Sequence, residues 1–189
     1  MGCTVDFSST ANIAYSCDQL STGGLKTVYL CDKADLATQT SSTPITVDAA
    51  GALTIASSVG LATDAVEMLT LGFNNKDGFS NFTDVKTLNA DGSGSAVPTI
   101  QLEFIRMGAA LRATLETIAR PGAELVAFVE TAAGTYHVVG YDFGLYAGTV
   151  DGASGVARTD KNRFQLTLIG DENVLSYTLD AANWAKVTA

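Results

Sequence analysis

The chain has 189 residues and 19.6 kDa, 47% hydrophobic and only 16% charged, which suits one domain with a sizeable core. Eleven Lys and Arg against 20 Asp and Glu leave a formal charge of −9 and a pI near 4.4, which sets aside proteins that wrap nucleic acid by neutralising phosphates. No stretch approaches the ~18 consecutive apolar residues of a membrane-spanning helix, so no membrane anchor is expected.

The opening Met1-Gly2-Cys3-Thr4-Val5-Asp6 has neither the basic nor the apolar region of a secretory signal, and Asp6 stands where myristoylation needs Ser or Thr. Cys3, Cys17 and Cys31 are odd in number, form no Cys-x-x-Cys and lie far from the single histidine. Reduced, structural cysteines of a cytoplasmically made protein are expected, with no metal and no cofactor. Short strands are predicted at Leu25 to Cys31, Ile45 to Val47, Leu53 to Ile55 and Val66 to Phe73.

Asn74 to Ala96 is polar and glycine-rich apart from Phe79, Phe82, Val85 and Leu88. It reads as a long loop, and a loop of that length in a compact domain is usually functional. Its four apolar residues imply a partner surface, and they are the candidate oligomer interface. The competing reading folds them back on their own domain as a short hairpin. The sequon at Asn81 carries no meaning without secretion.

Beyond it, Ile100-Gln101-Leu102-Glu103-Phe104 alternates apolar with polar residues, as a strand with one buried face does. Met107, Ala110, Leu111, Thr114, Leu115 and Ile118 then fall on one helical stripe, with Arg112, Glu116 and Arg120 opposite. The spacing predicts one amphipathic helix over about residues 106–119, with Glu116 and Arg120 in the favourable i,i+4 order, stopped by Pro121-Gly122. Glu124 to Glu130 and Thr135 to Val139 flank Thr-Ala-Ala-Gly as a hairpin, and Phe143 to Val150 adds a strand. Asp151 to Asp160 reads as a second, tighter loop. Arg163 to Leu168 and Leu175 to Leu179, around the turn residues Gly170-Asp171-Glu172-Asn173, predict a C-terminal hairpin. The fold class is therefore mainly β, a sandwich or barrel flanked by one helix, in a single domain spanning 1–189 with no second core and no repeat.

Chemistry is sparse. His137 sits in a strand with no nucleophile elbow or cysteine neighbour, and the acids show no paired spacing. The turns at Asp91 and Asp151 lack the alternate carboxylates of a calcium loop, and Gly23-Gly24 lacks a phosphate-loop Gly-Lys-Ser/Thr. A non-enzymatic protein is expected. On a subunit repeated around a ring, its negative charges would sum to a field that repels DNA from a channel wall; the plainer reading of the same charges is solubility.

Gly23-Gly24-Leu25-Lys26-Thr27-Val28-Tyr29-Leu30, followed by Asp32-Lys33-Ala34-Asp35-Leu36, resembles the opening of tail-tube-like virion proteins of tailed bacteriophages. The closing stretch from Ala157 through Leu166-Thr167-Leu168-Ile169-Gly170-Asp171-Glu172 is similar to the end of such proteins. The resemblance implies a subunit of hexameric rings that stack into a tube, with DNA passing through the lumen without specific binding and with other tail or virion proteins as partners. It implies location in the virion tail after synthesis in the bacterial cytoplasm. In that family a long loop reaches the neighbouring subunit, and Asn74 to Ala96 is the segment most like it, although no contact carries over residue by residue. The alternatives are a capsid decoration or head–tail connector protein, or a monomeric β-sandwich carbohydrate-binding or adhesin module. The last would present exposed aromatics, whereas most Tyr and Phe here fall at predicted inward positions and the single Trp184 lies near the C-terminus.

Overall fold

The computed structural model describes residues 23–39, 45–56, 61, 66–74, 79–91, 93–105, 107–155 and 162–187. In chain order these form β1 (Leu25–Asp32), α1 (Lys33–Gln39), β2 (Ile45–Val47), β3 (Leu53–Ile55), β4 (Leu69–Thr70), β5 (Asn81–Leu88), β6 (Gly94–Ile105) and α2 (Ala109–Ile118). They continue with β7 (Leu125–Thr131), β8 (Tyr136–Val139), β9 (Leu145–Ala153), β10 (Arg163–Gly170), β11 (Tyr177–Leu179) and α3 (Ala181–Ala185). The protein is mainly β.

One antiparallel sheet runs in the order β11-β8-β7-β9-β10-β6-β5, with β1 on the other side of β7 and β4 beyond β1; β2 and β3 pair separately. The expected hairpin of β7 with β8 forms, in the register Ala127 to Val139 and Glu130 to Tyr136. Gly140 ends β8 at φ +78, a conformation that favours glycine. A Cβ there would come within 2.5 Å of Leu145 Cγ and 2.9 Å of Leu125 O, so the chain can turn here and let β9 rejoin β7 at Leu125 only with glycine.

Residues from both halves of the sheet share a first core. Ile100, Leu102, Phe104, Leu166 and Leu168 from β6 and β10 meet Val28, Leu30, Ala127, Val129 and Val139 from β1, β7 and β8. Leu115 and Ile118 of α2 join the same core, with Leu111 packed against it. The other face of β7 builds a second core, which the sequence did not reveal: Val126 and Phe128 pack with Cys31, Leu36, Leu53, Ile55, Val138, Leu179 and Val187. Strand β7 is thus buried on both faces, which is why Leu125-Val126-Ala127-Phe128-Val129 lacks alternation.

Several expectations are corrected. Arg163 to Leu168 and Leu175 to Leu179 do not pair with each other: β10 lies between β9 and β6, and β11 pairs with β8. Both β9 and β6 are longer partners for β10 than the three residues of β11. The strand predicted over Val66 to Phe73 shrinks to Leu69–Thr70. The described part of the 74–96 loop is largely a hairpin of β5 with β6, in the register Asn81 to Gln101 through Leu88 to Gly94. The helix begins at Ala109, so Met107 stands before it, and its surface ion pair joins Arg112 to Glu116 at 3.8 Å while Arg120 lies past its end. Helices α1 and α3 were not expected; both are short, and α3 is capped by Asp180, whose carboxylate accepts the Asn183 N–H at 2.6 Å.

Candidate assembly surface

The β5–β6 hairpin closes through its own side chains. Asp91 Oδ1 accepts from the Ser93 N–H at 2.9 Å and from its hydroxyl at 2.6 Å, and the Asn89 amide donates to Ser93 Oγ at 2.9 Å. The Ser93 hydroxyl and N–H hold the Asp91 carboxyl below its ordinary range. That carboxylate, weighed above as a calcium ligand, is engaged in making the turn.

The four residues predicted as an interface divide in two. Phe82 points inward, packs against the first core, and sets its ring 5.5 Å from that of His137. Phe79 is half-buried, with the Arg163 guanidinium 6.0 Å from its ring centre. Val85 and Leu88 are 57% and 73% exposed. Val85 lies opposite Val97 across the hairpin, and Val97 is exposed as well. Val174 and Leu175 are exposed too, and two links carry their segment to the hairpin, on the Asp84 side of β5: Ala96 and Glu172 exchange backbone bonds of 2.6 and 2.7 Å, and Asp84 Oδ2 accepts the Ser176 N–H at 2.6 Å. Sequence reasoning missed Val97, Val174 and Leu175. Leu175 reads as inward by alternation with Tyr177 and Leu179, but pairing of β11 begins only at Tyr177.

Buried carboxylates anchor the hairpin at its base. Glu103 on β6 is fully buried; it accepts from Arg163 Nη1 at 2.8 Å and from Asn74 Nδ2 at 2.9 Å, while its N–H donates to Ser80 Oγ. Glu172 accepts the Phe143 N–H through both oxygens at 3.2 and 3.3 Å, and burial pushes its carboxyl above the ordinary value. Strand β5 pairs with β6 alone among the described residues, so its second edge is free. A free edge beside exposed Val and Leu side chains is a surface ready for another chain.

Other candidates resolve into local roles. His137 is half-buried, its Nε2 lies 3.2 Å from Thr135 Oγ1, and burial lowers its pKa against the opposing pull of Asp84. Cys31 is buried and free, its thiol pushed up to about 12 by burial and by Asp32 and Asp35; Cys3 and Cys17 lie outside the described residues. A cleft of about 430 Å³ between β1 and the end of α2 is lined by Asp32, Asp35 and Glu67, with Arg120 also on its wall. No group of three side chains able to hold a metal ion, and no helix long and apolar enough to cross a membrane, occurs among the described residues. Trp184 is half-buried, stacked 4.8 Å from Tyr136 and tilted 5.7 Å from Tyr29. Phe143 and Tyr146 depart from the inward expectation and are exposed. Comparison with protein-family models, curated proteins and solved structures returned no match.

Proposed function

We propose that this chain is a self-assembling structural subunit of a tailed-phage virion, a tail tube subunit whose hexameric rings stack into a DNA-conducting tube. The observation that carries the assembly reading is the free edge of β5 flanked by Val85, Leu88, Val97, Val174 and Leu175, held in place by the Asp84, Glu103 and Glu172 links. Edge pairing supplies directional main-chain bonds, and the apolar side chains supply the burial that stabilises a contact. A sheet whose two halves share a core beside α2 suits the sandwich or barrel of tube proteins. The net charge of −9 suits a lumen through which DNA slides without sticking.

Negative-stain microscopy with light scattering on the same sample tests this. Rings or hollow tubes are the expected result. A monomer at every concentration, with no rings, overturns it. The second reading, a monomeric glycan-binding module, draws on exposed Phe143 and Tyr146, although Trp184 is spent in packing. Glycan-array binding abolished by Tyr146→Ala in a monomeric protein would favour that reading.

A further inference from the structure

We propose that two copies of this chain pair antiparallel through the free edge of β5, about a two-fold axis at Val85. The pairing stands apart from the ring reading, because a two-fold contact is isologous whereas a ring needs two different surfaces.

The argument begins with which backbone groups face outward. Ala96 exchanges both of its backbone bonds with Glu172, away from β5, so its partner Lys86 sits in a pair that shares no hydrogen bonds. The Asn89 N–H, by contrast, donates to Ser93 O at 2.7 Å, within the hairpin. By alternation, Phe82, Asp84, Lys86 and Leu88 direct their N–H and C=O groups to the free edge. A second β5 docking there must match even residues with even residues and odd with odd.

That rule leaves few two-fold registers, and charge selects among them. Centring on Asp84 opposes two aspartates, and centring on Lys86 opposes two lysines. Centring on Val85 sets Asp84 against Lys86 of the other copy twice, Thr83 against Thr87, and Phe82 against Leu88. The segment Phe82-Thr83-Asp84-Val85-Lys86-Thr87-Leu88 reads alike from either end, except that the charge inverts. The side chains are in keeping with this. Asp84 Oδ1 is buried beside the bond that Oδ2 accepts from the Ser176 N–H and has no hydrogen-bond partner of its own, which Lys86 of the second copy would supply; Lys86 is exposed and makes no ion pair among the described residues. Leu88, the most exposed large apolar side chain among the described residues, would lie beside Phe82 of the second copy. An edge lysine ordinarily blocks strand pairing; in this register it specifies one partner and one alignment.

Charge exchange tests the pairing by sedimentation velocity. Lys86→Asp places aspartates opposite aspartates and should weaken the dimer about 30-fold. Asp84→Lys should do likewise with lysines. An equimolar mixture of the two should dimerise again, because every position then opposes its counter-charge. Since Asp84→Lys also loses the Ser176 bond and could compromise folding, Val85→Cys in a Cys3→Ser/Cys17→Ser background gives an independent arm. Residues facing each other on the axis in a pair without hydrogen bonds lie ~4.5 Å apart at Cα, within disulfide reach, so mild oxidation should yield a dimer linked through position 85. A dimer unmoved by Lys86→Asp, a wild-type chain that stays monomeric, or a dimer that never cross-links at position 85 would each overturn the pairing.

Discussion

Val85→Ser/Leu88→Ser separates assembly from folding, and the structure sets the size of the effect. Fully burying a Val or Leu side chain is worth about 2 kcal/mol, and these two retain 57% and 73% of their exposure for a partner to cover. Their loss should weaken a contact that covers them by about 2.5 kcal/mol per copy, roughly 70-fold in Kd for each. Folding should be nearly indifferent, because surface changes of this kind stay within about 0.5 kcal/mol, or about 2 °C in Tm. Phe82→Ala should behave in the opposite way: its ring packs on the core, so it should cost about 2–3 kcal/mol of folding stability, discounted from full burial. Sedimentation equilibrium over a wide concentration range, with urea unfolding on the same samples, reads both quantities. Self-association unchanged within twofold in the double variant, at unchanged Tm, would refute the assignment of this surface.

Three further outcomes follow from the packing. Phe128→Ala should lose about 3–5 kcal/mol in urea unfolding, because Phe128 is fully buried in the core that β7 builds on its second face. Glu172 has a folded pKa raised by burial, so its stabilising contribution is complete at low pH, where it is protonated, and is lost as pH rises from the unfolded value through the folded one. Glu172→Gln should therefore flatten the stability profile in that window, seen by urea titrations at successive pH values; an unchanged slope would count against it. In a Cys3→Ser/Cys17→Ser background, Cys31 should resist thiol reagents at pH 8 until urea unfolds the chain, since burial holds the thiolate out of reach.

The elements legible in the sequence were those whose pattern depends on one face. Ile100 to Phe104 and Arg163 to Leu168 alternate because only one side of β6 and β10 meets a core, and Leu111, Leu115 and Ile118 repeat at helical spacing for the same reason. The partner of each strand was not legible. Gly170-Asp171-Glu172-Asn173 carries good turn chemistry, yet the chain uses it to cross from β10 to β8, because pairing is decided by long-range register and not by the turn alone. In the 74–96 segment the polar alternation Thr83, Asp84, Val85, Lys86, Thr87 hid a strand, since an edge strand with little burial lacks the apolar rhythm that marks a buried one. The interface residues were identified as a group; that Val85 faces away from Phe82 depends on a parity set by pairing with Val97 and Ile100, and that Leu88, on the same face as Phe82, stays exposed depends on its place at the far end of the strand, beyond the core.

That parity makes two demands on β5 compete. The even residues of the strand offer a single row of backbone groups, and a row of this kind pairs with one strand at a time. A two-fold partner aligned by Asp84 and Lys86 would therefore occupy the edge that a ring or ring-to-ring contact through β5 would need. The two-fold contact closes on itself with no edge left over, whereas a heterologous contact propagates. Exchange between them would be governed by the two Asp84–Lys86 pairs, which salt weakens through the exposed Lys86, while apolar burial by Val85 and Leu88 is common to both and is not weakened by salt. Rising ionic strength should then shift material out of the two-fold pair without removing the apolar drive to associate. The two contacts can in this way be told apart by salt alone.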